Sequence, residues 1–200
     1  MKSGNGIVVI FDMDGTLTRP VLRFDAIREE IGLSAEPVLE AIVAMPPDER
    51  HRAEAILHRH EEEAAINSEL QPRAAEVVRG VRAAGAAAVL MTRNSRRSTA
   101  TVLRKHDLEF DLTWTREDGP MKPSPEPVLR ICESLGTRPD RAWVIGDFAY
   151  DILCGNAAGA TTVLFLEPGR ARAAWADEAA HVVAALDELP ALMGFEIGVR

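Results

Sequence analysis

The chain is a succession of short apolar runs set between amphipathic stretches. Ile7 to Ile10 reads Ile-Val-Val-Ile, bounded by Gly6 and then by Phe11-Asp12. Such a run predicts a short, fully buried strand that spills into a loop. From Pro72 onward helix and strand patterns alternate. The periodicity predicts a helix over about 72–84, Gly85, a strand from Ala86 to Met91, and a helix over about 95–105. A weak strand at Phe110 to Thr113 comes next, then a loop through Gly119-Pro120 and a helix from Ser124-Pro125 to about Leu135. Ala142 to Ile145 and Ala160 to Phe165 are further apolar strands flanking a helix at Ala149 to Ala158. A short helix near Arg170 to Trp175, a strand at His181 to Val183 and a helix from Asp187 complete the pattern.

One stretch breaks the rhythm. Thr18 to about Asn67 contains no strand-like run and is charged, Ala-rich and helical in period. Leu22, Ile27 and Ile31 mark a first helix closed by Gly32, Pro37 to Ala44 a second, and Pro46-Pro47-Asp48 opens a third that runs to about Ile66. Proline in the first turn and acids near the start suit a helix N-terminus. Alternating strands and helices indicate a parallel sheet wrapped on both faces. The expected fold is therefore α/β, a three-layer Rossmann-like parallel sheet built from residues 1–17 and 71–200, with residues 18–70 inserted as a small all-helical domain.

Composition narrows the setting. Two hundred residues with 46% hydrophobic and 27% charged positions suffice for a core that needs no disulfide or metal staple. A net charge of -8 argues against a nucleic-acid face and against an anionic membrane surface. Cys132 and Cys154 have no ligand-spaced partners and read as buried free thiols of a reducing compartment. The first apolar run is cut short by Asp12 and Asp14, so neither a secretory signal nor a membrane span is expected there. The expected location is cytoplasmic, and nothing in the sequence demands more than a monomer.

In open parallel sheets ligands bind beyond the carboxyl ends of the strands, so the residues just past each strand are the informative ones. After the first comes Asp12-Met13-Asp14-Gly15-Thr16. In an extended segment Asp12 and Asp14 point to one side and Met13 to the other. Two carboxylates so placed raise one another's pKa unless a cation sits between them. After the second strand come Thr92-Arg93-Asn94, a hydroxyl and backbone N–H groups at a helix entrance, which suits an anion. Lys122 lies beyond the third strand's loop, among prolines expected to hold the backbone extended. Gly146-Asp147-Phe148-Ala149-Tyr150-Asp151 succeeds the fourth. If a helix begins there, Asp147 and Asp151 lie one turn apart on one face. Four acids, a Lys and a Thr at one sheet edge describe a Mg²⁺ site with a phosphate beside it.

These four motifs, in this order, resemble the haloacid dehalogenase (HAD) superfamily, and within it the phosphoglycolate phosphatase-like branch with a helical cap after the first strand. The resemblance implies a phosphatase acting on a small phosphorylated metabolite. Asp12 would be the nucleophile that becomes an aspartyl-phosphate, and Asp14 the general acid and then base. Mg²⁺ would be held by Asp12, the Asp14 carbonyl and Asp147, with Asp151 supporting. Lys122 would neutralise phosphoryl oxygens, and Thr92 with the N–H groups of Arg93 and Asn94 would seat the phosphate. The cap, hinged near Leu17 to Pro20 and Asn67 to Pro72, would shut out water.

Rival readings have their own signatures. Hydrolytic dehalogenation dispenses with the second Asp, which is present here as Asp14. A receiver-type phospho-aspartate module would carry its acceptor after the third strand rather than the first. A phosphomutase would share the chemistry and differ in product. His51, His58 and His60 with Arg50, Arg52 and Arg59 form a basic stretch of the third helix, but His58 and His60 face different ways, which favours a solvated face over chelation. Arg19, Arg23, Arg28 and Arg93 are candidates to grip a second anionic group on a substrate. Trp114, Trp143 and Trp175 read as packing residues.

Overall fold

The computed structural model describes residues 6–195. Six parallel strands form one sheet in the order β3-β2-β1-β4-β5-β6. They are β1 (Val8–Phe11), β2 (Ala87–Met91), β3 (Leu112–Trp114), β4 (Ala142–Gly146), β5 (Thr161–Phe165) and β6 (His181–Val183). β1 pairs with β2 on one side and β4 on the other, with Phe11 opposite Leu90 and Ile145. All four residues of β1 are buried. A strand covered on both faces has no polar side to show, hence its unbroken apolar run. The chain builds outward from β1 to β3, then crosses back to β4, so the strand order reverses beside β1.

Helices α4 (Ala74–Ala83), α5 (Arg96–His106), α6 (Glu126–Leu135) and α7 (Ala149–Ala158) connect the strands, and α8 (Leu189–Leu192) ends the fold. One apolar layer joins Val9, Phe11, Leu90, Val77, Val81 and Leu186. The other joins Val8, Ile10, Val89, Val144, Ile131 and Cys154. The odd and even residues of β1 thus feed opposite layers, as the pleat requires. Both cysteines are buried and free.

Between β1 and α4 lie α1 (Phe24–Ile31), α2 (Val38–Ala44) and α3 (Pro47–Asn67). They enclose a separate small core of Ile27, Val38, Ile42, Ala53 and Leu57. The two connections to this insertion run side by side. Thr18 bridges Leu70, the N–H of Arg19 donates to the Glu69 carbonyl at 2.8 Å, and that of Gln71 to the Leu17 carbonyl at 2.9 Å. Leu17 to Pro20 and Asn67 to Pro72, read from the sequence as two hinges, are therefore joined at their centres into one short ribbon.

Three local expectations differ from the structure. The weak strand lies at 112–114 rather than 110–113, because Phe110 packs into the core and Asp111 turns its carboxylate back to the Ala88 N–H at 2.9 Å. No helix forms at Arg170. Gly169 turns there with φ +90°, and a 3₁₀ turn begins only at Ala174. The proline-flanked Lys122 sits in a turn, closed by the Ser124 N–H to the Met121 carbonyl at 3.0 Å, and not in extended backbone.

Candidate active site

At the carboxyl end of β1, the Asp12 N–H donates to the Ile145 carbonyl at 2.9 Å, which sets this residue against the end of β4. The next residues wind into a tight loop in which the N–H groups of Leu17 and Thr18 both reach the Met13 carbonyl at 2.9 Å. Met13 itself is buried in the core, and Asp12 and Asp14 open on one cavity, as the alternation predicts. The loop brings the buried Thr16 hydroxyl between two acids, 3.3 Å from Asp12 Oδ2 and 3.5 Å from Asp147 Oδ1.

Two glycines make room for the carboxylates. Gly15 has φ +85°, and a Cβ there would lie 2.4 Å from Asp147 Oδ2. A Cβ on Gly146 would lie 2.1 Å from the Asp151 Cγ. No side chain fits at either position without moving an acid. Asp147 precedes the helix, since α7 begins at Ala149. The expectation that Asp147 and Asp151 share a helix face is corrected accordingly: Asp147 leaves from the strand end, and Asp151 lies in the first helical turn. The Asp151 carboxylate bends back to accept from the Phe148 N–H at 3.2 Å, an end-capping bond that aims its other oxygen at the site.

Lys122 joins these pieces. Its buried ammonium donates to Asp12 Oδ1 at 2.5 Å and to Asp151 Oδ1 at 2.6 Å. Burial opposes the charged form of Lys122, but the charges of Asp12 and Asp151 outweigh it and hold the ammonium above its ordinary pKa. Ligand oxygens of Asp12, Asp147 and Asp151 all lie within 4.8 Å of one another. Burial, then the charge of Asp12, raises Asp147 against the pull of Arg170. Burial, with Asp12 and Asp147 and against Lys122, raises Asp151 to about 7. Three hard oxygen donors so close, two of them held toward the protonated form, fit a small divalent cation such as Mg²⁺.

Asp14 stands apart from that cluster. Its carboxylate accepts from Asn94 Nδ2 at 2.7 Å, and burial with the charge of Asp12 raises it to about 7. Thr92, at the end of β2, faces the same cavity, and its hydroxyl oxygen accepts from the Asn94 N–H at 3.1 Å. The hydroxyl proton remains free to donate. That bond already engages the Asn94 N–H assigned by the sequence to an anion, and the helix starts later, at Arg96, behind its own cap Ser95. Arg93 reaches across to Glu40 of α2 at 2.5 Å and lies over the Tyr150 ring at 4.7 Å.

All eight residues singled out in the sequence line one cavity of about 540 Å³ between the sheet edge and the insertion. Residues 19–165 match the family model described as haloacid dehalogenase-like hydrolase. The chain belongs to this family. A haloacid dehalogenase-like hydrolase domain-containing protein of Arabidopsis thaliana is 33% identical over 175 residues, covering 81% of this chain and 71% of the plant protein. A phosphoglycolate phosphatase of Chromobacterium violaceum is 27% identical over 184 residues, 78% of this chain and 82% of that one. The fold superposes on a hydrolase from Pseudomonas syringae with a TM-score of 0.78 at 21% identity, covering 94% and 98% of the two chains.

Within this haloacid dehalogenase-like hydrolase, two site features escape a reading of the sequence. Arg170, in the loop after β5, pairs with Asp147 Oδ2 at 2.5 Å. Its signal is its place, just beyond a strand end like the acids after β1 and β4. Glu61 is the first of three consecutive acids on α3. Yet it is 2% exposed, accepts from Arg116 through both oxygens at 2.6 and 3.0 Å, and lines the cavity. Its signal is the spacing Ala53, Leu57, Glu61, Ala65, the buried stripe of α3. Elsewhere on that helix Arg59 and His60 both pair with Glu30 at 2.5 and 2.9 Å. Of the arginines expected to meet a substrate anion, Arg28 and Arg93 line the cavity, whereas Arg19 pairs with Glu69 and Glu167. The tryptophans pack: Trp143 stacks on His181, Trp175 meets Phe148 edge-on, and Trp114 donates to the Pro120 carbonyl. Among the described residues no helix is long and apolar enough to cross a membrane.

Proposed function

We propose that this hydrolase is a Mg²⁺-dependent phosphatase that cleaves a small-molecule phosphomonoester through an aspartyl-phosphate on Asp12. The observation that carries the reading is the division of labour between two neighbouring carboxylates. Asp12 is held by Lys122 at Oδ1 and by Thr16 at Oδ2, which fixes its carboxylate in the cavity wall. Asp14 is held by Asn94 and raised to about 7, so near neutrality it exists in both protonation states. Two neighbouring acids in such different surroundings can take different roles.

An Asp12 oxygen attacks phosphorus, and the bond to the leaving alcohol oxygen breaks as Asp14 delivers its proton there. In the second step water attacks the phosphoryl group of the acyl phosphate, giving its proton to Asp14 and restoring the Asp12 carboxylate. Lys122 and the Thr92 hydroxyl hold the phosphoryl oxygens in place. Asp12, Asp147 and Asp151 would hold Mg²⁺, which supplies positive charge where the phosphoryl oxygens gather negative charge. Residues 18–70 act as the cap that covers the reaction, over a core of residues 1–17 and 71–200. The phosphatase name of the Chromobacterium relative supports this reading. So does Asp14, which a dehalogenase has no need of.

Phosphate release with and without Mg²⁺ tests it. Asp12→Asn should abolish turnover. Asp14→Asn should slow it by roughly 10²–10⁴-fold, the usual contribution of a positioned acid. Undiminished turnover by Asp12→Asn would sink the mechanism.

A further inference from the structure

The roof of the cavity is built from apolar side chains of the insertion: Leu22, Phe24, Val38 and Leu57 face it, and Phe148 and Tyr150 close it from the core. Phe24 and Phe148 are the informative members. They line the cavity yet are 49% and 47% exposed. Phe148 is braced edge-on by Tyr150 at 5.2 Å and by Trp175 at 5.9 Å, so its free face is held in a fixed direction. Rigid aromatic faces left open over a reaction centre are binding surface in waiting.

Apart from Lys122, each positive side chain of the cavity already faces a carboxylate. Arg93 pairs with Glu40 and stacks on Tyr150, Arg170 pairs with Asp147, and Arg28 pairs with Asp25 one turn earlier on its own helix. Glu61 is matched by Arg116. A second carboxylate or phosphate on the leaving group would find the charge of each arginine already matched by Glu40, Asp147 or Asp25, and would have to compete with that carboxylate for it. A polyhydroxylated leaving group would set its hydroxyls against Leu22, Phe24 and Leu57 and lose their hydrogen bonds to water without replacement. An uncharged, largely apolar leaving group meets neither cost.

Resting on the phosphatase reading, we infer that the substrate class is the phosphate monoester of an uncharged, predominantly apolar alcohol that packs against the exposed Phe24 and Phe148 side chains. The phosphoryl group lies among Asp12, Thr92 and Lys122, and the alcohol body fills the remainder of the cavity of about 540 Å³. Burying one aromatic ring against this wall is worth about 1.5–3 kcal/mol, or roughly 10- to 150-fold in binding.

Benzyl phosphate, phosphoglycolate and glucose 6-phosphate test the inference, because all three leave as alkyl alcohols and differ chiefly in what the cavity must accept. With Mg²⁺, kcat/KM for benzyl phosphate should exceed that for the other two by about tenfold or more. Phe24→Ala, at a half-exposed position, should raise KM for benzyl phosphate about 5- to 10-fold, a clearly larger rise than for phosphoglycolate or glucose 6-phosphate. Glu40→Ala, which releases Arg93, should shift the preference toward phosphoglycolate. Equal or better turnover of phosphoglycolate or glucose 6-phosphate by the wild-type protein overturns the substrate class. So does a Phe24→Ala effect that is the same for all three esters. If none of the three is hydrolysed, the phosphatase reading itself fails, and the substrate class fails with it.

Discussion

Replacing Glu61 by Ala removes the carboxylate that ties α3 to the core. Glu61 is 2% exposed, and its two oxygens receive Arg116 at 2.6 and 3.0 Å and the Ser95 N–H at 3.4 Å. Without it the Arg116 guanidinium, itself only 16% exposed, keeps a single contact to the Arg93 carbonyl at 3.2 Å. A buried charge robbed of its partner costs about 3–5 kcal/mol. For a chain of this size each kcal/mol lowers Tm by about 2–4 °C, so the fall should be about 6–20 °C. Thermal unfolding of Glu61→Ala, Arg116→Ala and the double variant closes a cycle. Both single variants should lose several kcal/mol, and the double variant little more than either, giving a coupling of about 2 kcal/mol or more. If each single variant loses less than about 1 kcal/mol and the losses add, the pair does not bolt α3 to the core. A Glu61→Gln variant separates charge from shape, and its loss should be intermediate because one hydrogen bond to Arg116 survives.

Other consequences are as direct. Asp14 and Asp151 are raised to about 7 in the folded chain, against an ordinary carboxylate value near 4. The native state then binds more protons than the unfolded one between those values, so stability is greatest at the acid end and falls as pH rises through about 7. In chelator, urea unfolding should lose about 5 kcal/mol between about pH 5 and pH 8, and millimolar Mg²⁺ should restore much of it. A flat profile would show the acids to be better solvated than their packing implies. Gly146→Ala should drive the Asp151 carboxylate off Lys122 and weaken Mg²⁺ binding by about 10- to 100-fold, read by calorimetric titration. Unchanged affinity would place Asp151 outside the metal's influence. Removal of the Thr16 hydroxyl in Thr16→Val should raise the Mg²⁺ concentration for half-maximal activity several-fold, because Asp12 and Asp147 lose their shared neighbour.

The sheet is legible in the sequence because its central strands are buried on both faces and so read as unbroken apolar runs between breakers. The candidate site is legible in part for a related reason: its acids and Thr92 come directly after such runs, whereas Lys122 lies eight residues beyond the half-buried β3. What the sequence hides are facts of contact. Asp147 looks helical by spacing, but the start of α7 at Ala149 is fixed by Asp151 turning back to the Phe148 N–H, a bond that composition does not reveal. Arg170 reads as part of a short helix because Ala and Arg are good helix formers. Its partner Asp147 lies 23 residues earlier. Glu61 shows the limit most clearly, since its charge speaks for solvent and its position for the interior. Only Arg116, 55 residues away, reconciles the two.

The bridged connections at Thr18 and Leu70 have a consequence for how this architecture varies. Departure and return of the 18–70 excursion occur at one rung, so the strand ends feel the excursion through that rung and through the Glu61–Arg116 pair. A change in the length of the excursion between those two fastenings leaves the rung itself, and the strand ends behind it, in place.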